Sequence, residues 1–344
     1  MKTTLLSILT FIFITSQVVS LKAVELIGAG ATFPYPLYSK MFDTYYQLNK
    51  VKVNYQSIGS GGGIKQLLSK TVNFGASDAV MEDAEKAKAP VAIHHIPTCL
   101  GADVITYNLP GNPKLKLTPE VIAGIFLGKI TNWNDSKIKK LNPKAKLPKQ
   151  GIVVIHRSDG SGTTYIFSDY LCKVSSEWEK KVGRGKSLNW PVGLGGKGNE
   201  GVSGLIKQTP GSIGYTELIY ATGNKMPVAS IKNSSGNFIY PSIKSVSESA
   251  NINLPDDTEV SITNTSAYNG YPISSFTWLL VYDELNVVNL KEEEAKAMMK
   301  LLWWMIHDGQ KLVEPLQYAP LSPAAVKKAE NLLKSVKFKG KNIL

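Results

Sequence analysis

Three glycine-rich turns constrain this chain more than any other feature. Gly28–Pro34 reads GAGATFP and precedes a helical pattern. Gly59–Ile64 reads GSGGGI, between the strand-like VKVNY and a helix. Ser158–Thr164 reads SDGSGTT, between the strand-like IVVIH and a helix. Each turn can place bare backbone N–H groups at a helix N-terminus. Those donors, with the positive end of the helix dipole, make an anion site. Glycine lets the backbone approach a ligand closely. Thr32, Ser60, Ser161 and Thr163 add hydroxyl donors.

The rest of the chain alternates in the same way. Strands are expected at Val51–Tyr55, Val91–His95, Val104–Asn108, Ile152–His156, Ser212–Tyr215 and Thr277–Tyr282. Helices are expected at Pro36–Leu48, Ile64–Ser69, Thr163–Leu171, Val202–Gln208 and Glu292–His307. The last has acids at its start and a stripe of Met298, Leu301, Leu302 and Met305; Trp303 and Trp304 are read as core. A polar stretch, Asn233–Asn269, reads as loops with a short helix. Alternating strands and helices predict an α/β fold, and 344 residues suggest about two domains.

A hydrophobic content of 43% excludes a disordered chain. One apolar segment approaches membrane-spanning length, which excludes a polytopic membrane protein. That segment lies in Met1–Ala23: Lys2, an apolar run from Leu5 to Ile14, then small residues before Val24. It reads as a cleavable secretory signal peptide, and no cysteine near the cleavage region suggests a lipoprotein. Two cysteines are too few for a disulfide scaffold or a four-cysteine zinc site. Cys99 and Cys172 are read either as a disulfide or as two small buried thiols.

The net charge of +12 invites a nucleic-acid reading, but the lysines are dispersed. The densest run, Lys137–Gln150, lacks interleaved aromatics, and its Pro and Asn predict a loop. A solvated basic surface fits better; its field would speed capture of a small anion.

Only two cations are arginine, Arg157 and Arg184. Arg157 stands just before the SDGSGTT turn, with Asp159 two residues on. Its planar donor fork suits an anion in a way that lysine does not. Asp159 would hold that fork in place; an ordinary surface ion pair is the alternative. Asp78, in NFGASDAV, reads equally as an acceptor for a protonated anion or as the N-cap of the MEDAEKAKA segment. No P-loop or dinucleotide fingerprint is present. His156, Asp159 and Ser161 are hydrolase ingredients, but they lie too close in sequence to converge as a triad. His94 and His95 are adjacent on a strand and face opposite ways.

The segments GAGATFPYPLY, VNYQSIGSGGGIKQL, VNFGASDA, GKITNWND, HRSDGSGTTYIF, WPVGLGGKGNEGV, PGSIGYTE and LQYAPLS together carry a resemblance. From about Ile27 onward the chain resembles the periplasmic phosphate-binding proteins of high-affinity phosphate ABC transporters. The resemblance implies a two-lobed, class II periplasmic-binding-protein fold with mixed sheets flanked by helices. Lobe I would comprise 24–98 and 265–344, and lobe II 99–264, after a signal peptide at 1–23. Two crossovers, near Pro97–Asp103 and Ser261–Ser274, would form the hinge.

It also implies a phosphate site of Thr32, Phe33, Ser60, Asp78, Arg157, Ser161, Gly162 and Thr163, with Asp159 steadying Arg157. Asp78 would accept the ligand's proton and exclude sulfate. No catalysis, cofactor, metal or nucleic acid is implied. The partner would be a membrane complex of two permease and two ATPase subunits, met in the periplasm by a monomer. Two departures stand out: His156 replaces an arginine often found beside Arg157, and Gly61 stands where some members have serine. The competing readings are a binder of sulfate, molybdate or another tetrahedral oxyanion, and a secreted phosphatase or hydrolase.

Overall fold

The computed structural model describes residues 24–344; the expected signal peptide lies outside the described residues. Eight strands form the main sheet: β1 Val24–Gly30, β2 Val51–Ser57, β3 Phe74–Ser77, β4 Ile93–Tyr107, β5 Val153–Arg157, β6 Leu194–Gly196, β7 Ser212–Glu217 and β8 Ser274–Tyr282. Their spatial order is β2-β1-β3-β8-β4-β7-β5-β6. The outer trios pair in parallel, whereas β8 runs antiparallel to β3 and β4, and β4 antiparallel to β7. The sheet is therefore mixed.

The longest strand joins the two trios. Along Ile93–Ala102, β4 pairs with β8; along Asp103–Tyr107 it pairs with β7. Val91–His95 and Val104–Asn108 are thus one strand rather than two. Pro97 does not end it, because the register slips beside it, where Thr277 faces Cys99 and Trp278 faces Pro97. A bulge of this kind accommodates the missing proline N–H. Apart from that bulge at Thr98 and the change of partner after Ala102, β4 runs on to Tyr107, and β8 is buried along its whole length.

Helices cover the faces. Helix α1, Tyr35–Asn49, buries Leu37, Tyr38, Met41, Phe42 and Tyr45. Helix α2 spans Ser60–Leu68, α3 Gly162–Val174, α4 Gly198–Gln208, α5 Glu292–Ile306 and α6 Pro323–Ser335. Each expected helix is present, lengthened at its start where the glycine turn feeds it. Trp303 and Trp304 are half-buried rather than core; Trp304 packs on Tyr45 with ring centroids 5.2 Å apart. The lysine run expected as a loop begins in a helix, Ser136–Leu141, capped by the Asp135 carboxylate accepting from the Lys137 N–H. The polar stretch contains a short helix, Ile243–Ser249. Cys99 and Cys172 are free thiols. No helix among the described residues is long and apolar enough to cross a membrane.

Glycine sets how closely α2 approaches β1. A Cβ on Gly63 would fall inside contact distance of the Gly30 Cα and the Ala29 carbonyl oxygen. Helix propensity alone favours alanine over glycine by about 1 kcal/mol. Overpacking against backbone costs about 1–3 kcal/mol, and backbone cannot rotate away. Gly63→Ala is therefore expected to lose about 1–2 kcal/mol in urea unfolding. A gain in stability would show that the helix can lift without cost.

Candidate anion-binding site

The three turns converge where β4 changes partner. The first follows β1 and carries Thr32 and Phe33, both buried. The second follows β2; Gly59, at φ 86°, turns the chain so that α2 begins at Ser60. A side chain at Gly59 would strike the Asp159 carboxylate and the Gly160 carbonyl. The third follows β5 and ends at Ser161, whose hydroxyl caps α3 by accepting from the Thr164 N–H at 3.0 Å. Asp78 comes from the end of β3.

The geometry brings these residues together. A Cβ on Gly162 would strike Ser60 Oγ and lie 2.7 Å from Asp78 Oδ2. The Gly61 N–H donates to the Gly160 carbonyl at 2.9 Å, so the second and third turns touch through backbone. Asn199, at the start of α4, donates to Thr32 Oγ1 at 2.7 Å and to Thr163 Oγ1 at 3.1 Å. Ser60, Ser161 and Thr163 are fully buried, and Thr32, Asp78 and Arg157 almost so.

Arg157 is held by a two-pronged pair. Its Nε donates to Asp159 Oδ1 at 2.8 Å and its Nη2 to Asp159 Oδ2 at 2.6 Å. The remaining Nη1 points to Thr163 Oγ1 at 3.2 Å. Burial opposes charge on Asp159, but the Arg157 hydrogen bonds and charge outweigh it and hold the carboxyl below its usual range. The pair is thus not the exposed surface bridge considered as the alternative.

Asp78 behaves differently. Thr277 donates to its Oδ1 at 2.7 Å, and Ser60 reaches Oδ2 at 3.4 Å. Burial still dominates and pushes the carboxyl up to about 7, against the pull of Thr277, Arg157 and Ser60. Asp78 caps no helix: the following short helix, Asp83–Lys86, is capped by Glu82. A carboxyl near 7 can hold or give up a proton under ordinary conditions.

The hydrolase ingredients do not assemble. The His156 ring stacks on Trp190 at 4.7 Å, Asp159 is committed to Arg157, and the Ser161 hydroxyl serves as a cap. His94 meets Asp283, while His95 turns inward to Glu259 and the Met81 N–H. Among the described residues no cluster of His, Cys, Asp and Glu could hold a metal.

The family is settled by comparison with known proteins. Residues 17–308 match the family described as a PBP superfamily domain. A Xylella fastidiosa protein named phosphate-binding protein PstS is 42% identical over 316 residues, 90% of this chain and 85% of its own length. This chain belongs to the PstS family. A Pasteurella multocida PstS is 40% identical over 333 residues, 94% of each chain. Among solved structures, a high affinity periplasmic phosphate-binding protein bound with phosphate aligns with TM-score 0.70 at 20% identity, covering 90% of this chain and 93% of its own. A human phosphate binding apolipoprotein aligns with TM-score 0.71 at 18% identity, covering 89% and 93%. The fold is that of the class II periplasmic binding proteins. PstS proteins are substrate-binding components of ABC transport and not enzymes.

Several residues packed around the three turns were not picked out from sequence. Thr277 lay inside an expected strand with nothing to mark it, and Asn199 lay in the GGKGNEG turn. Asp103 and Glu217 carried a weaker signal: Asp103 directly precedes the expected strand Val104–Asn108, and Glu217 follows the expected strand Ser212–Tyr215 by two residues. They stand opposite each other in the β4–β7 register, fully buried. Both Asp103 carboxyl oxygens and Glu217 Oε1 lack a hydrogen-bond partner among the described residues. Burial pushes both carboxyls well up; for Asp103, Arg157 pulls down while Glu217 and Asp78 push up.

An acid raised in the folded state binds more protons there than in the unfolded chain. Its ionisation then costs stability as pH climbs from about 4 toward the folded value. Asp103→Asn removes that cost. The melting temperature of Asp103→Asn minus that of wild type should therefore grow between pH 5 and pH 8. A constant difference would mean that Asp103 is not held neutral by its surroundings.

Proposed function

We propose that this protein captures inorganic phosphate in the cleft between the three turns and delivers it to a membrane ABC permease for import. The observation that carries the reading is the pairing of opposites in one buried place. Arg157 and the α3 N-terminus favour an anion, while Asp78, when ionised, is a carboxylate acceptor that asks the anion to bring a proton. Asp159 already neutralises Arg157, so the remaining ligand charge meets neutral donors. Those donors are the Ser60, Ser161 and Thr163 hydroxyls, the Thr32 hydroxyl, and backbone N–H groups of Thr32, Phe33, Ser60, Gly162 and Thr163. Within each turn such dipoles are fixed by the local backbone, and closure of the proposed lobes brings the turns together.

The proposed lobes are 24–98 with 265–344, and 99–264, closing on the ligand about two crossovers. The partner change of β4 between Ala102 and Asp103 supports a hinge there. Export to the periplasm through the N-terminal segment, a monomeric state, and a partner complex of two permease and two ATPase subunits complete the proposal. The His156 and Gly61 departures leave those donors intact; the His156 ring lies against Trp190.

Titration calorimetry tests the reading on protein freed of phosphate by unfolding and refolding. Wild type should bind phosphate tightly, one ion per chain. Arg157→Lys keeps the charge and loses the fork, so affinity should fall by roughly 1.5–3 kcal/mol, about 10- to 150-fold. Absence of phosphate binding by wild type would refute the function. An unchanged Arg157→Lys affinity would remove Arg157 from the site.

A further inference from the structure

Lys186 is a lysine in an unusual place. Its side chain is only 9% exposed, although nothing in the anion site requires it. Its ammonium donates to Glu82 Oε1 at 3.0 Å and to Glu85 Oε2 at 2.9 Å. Those two acids follow Asp78 by four and seven residues, on the β1–β3 side of the cleft. Lys186 itself follows the short helix Ser176–Lys181 that comes after α3, on the β5–β7 side. Its backbone carbonyl accepts from the Ser161 N–H at 2.8 Å. One residue therefore fixes the Ser161 turn by its backbone and grips the Asp78 side by its side chain.

The grip is well formed. Glu85 Oε2 also accepts from the Glu82 N–H at 2.9 Å, so the acceptor is itself held in place. Glu85 is 20% exposed and Glu82 54%, so the Glu85 bond is the better shielded of the two and the Glu82 bond is weakened by water. The contact spans the same gap as the Gly61 to Gly160 backbone bond and the Tyr220 hydroxyl donating to the Thr32 carbonyl at 2.6 Å. Unlike those, it carries charge, so salt can weaken it.

We propose that Lys186 is a positioning residue that latches the closed cleft: it ties the Ser161 turn to Glu82 and Glu85 and slows escape of the bound anion. The proposal rests on the phosphate reading of the site. A latch acts after closure, so it should change the release rate and leave the encounter rate alone. A merely structural lysine would change the melting of the unliganded protein, and a steering lysine would change the association rate.

The test is release of radiolabelled phosphate into excess unlabelled phosphate, with association measured in parallel. Lys186→Met keeps the apolar stem and removes the charge. Its release rate should rise about tenfold, its association rate should stay within twofold, and the melting of the unliganded protein should stay near that of wild type. Raised salt should speed release from wild type more than from Lys186→Met, in which the Lys86–Glu259 and Lys328–Asp256 pairs still join the proposed lobes. The double variant Glu82→Gln with Glu85→Gln keeps the helix cap acceptors and should release as fast as Lys186→Met. Adding Lys186→Met to it should change nothing further, since the partners act as one unit. If Lys186→Met fails to fold, the glutamine pair and the salt dependence decide alone. Release at the wild-type rate from the variants, or a change confined to association, would overturn the latch while phosphate binding by wild type still stood. A wild type that takes up no phosphate would overturn the phosphate reading, and the latch with it.

Discussion

A carboxyl group in a dry place is the constraint on which the rest of this structure turns. Removing Asp78 from water penalises its charge, and two hydroxyl donors do not fully compensate. The neighbouring Arg157 would compensate, but both of its inner donors are committed to Asp159. The interior thus holds one neutralised arginine and one acid balanced between its two protonation states. In the proposed site a ligand hydroxyl completes that balance. With Asp78 ionised, an anion without a proton would set a lone pair against a lone pair.

Glycine and backbone make this arrangement possible. Gly59, Gly162 and Gly63 stand where a single methyl group would meet a carboxylate, a hydroxyl or main chain. Their absence of side chains lets three helix starts crowd one point. The long strand β4 then connects the halves through the same point, with Asp103 and Glu217 sealed beneath it. Acids without cationic partners in that position favour protonation, so the whole floor of the cleft leans toward neutrality.

Much of this could be read from the chain, and the reason is locality. The turns, their serines and threonines, and the Arg157–Asp159 pair lie within a few residues of each other, where spacing carries the chemistry. The family resemblance then ordered them into one site. What escaped was long-range. Asp78 caps no helix, because Glu82 takes that place, and its Oδ1 accepts instead from Thr277, 199 residues away. Joining two expected strands into β4 depended on a bulge that forms only against β8. The lysine run became partly helical because Asp135 capped it, a signal that the proline and asparagine obscured. Lys186 was one lysine among many until Glu82 and Glu85 were placed beside it.

The account stands on the claim that Asp78 reads a proton on the ligand. Competition between sulfate and phosphate on wild-type protein and on Asp78→Asn measures this directly. Sites built to pair a ligand hydroxyl reject an analogue without it by roughly 10⁴–10⁵. Above about pH 8, where Asp78 is ionised, sulfate should therefore fail to displace phosphate from wild type at any practical excess, and Asp78→Asn, whose amide can donate, should narrow the gap. Sulfate binding to wild type within tenfold of phosphate would contradict the claim.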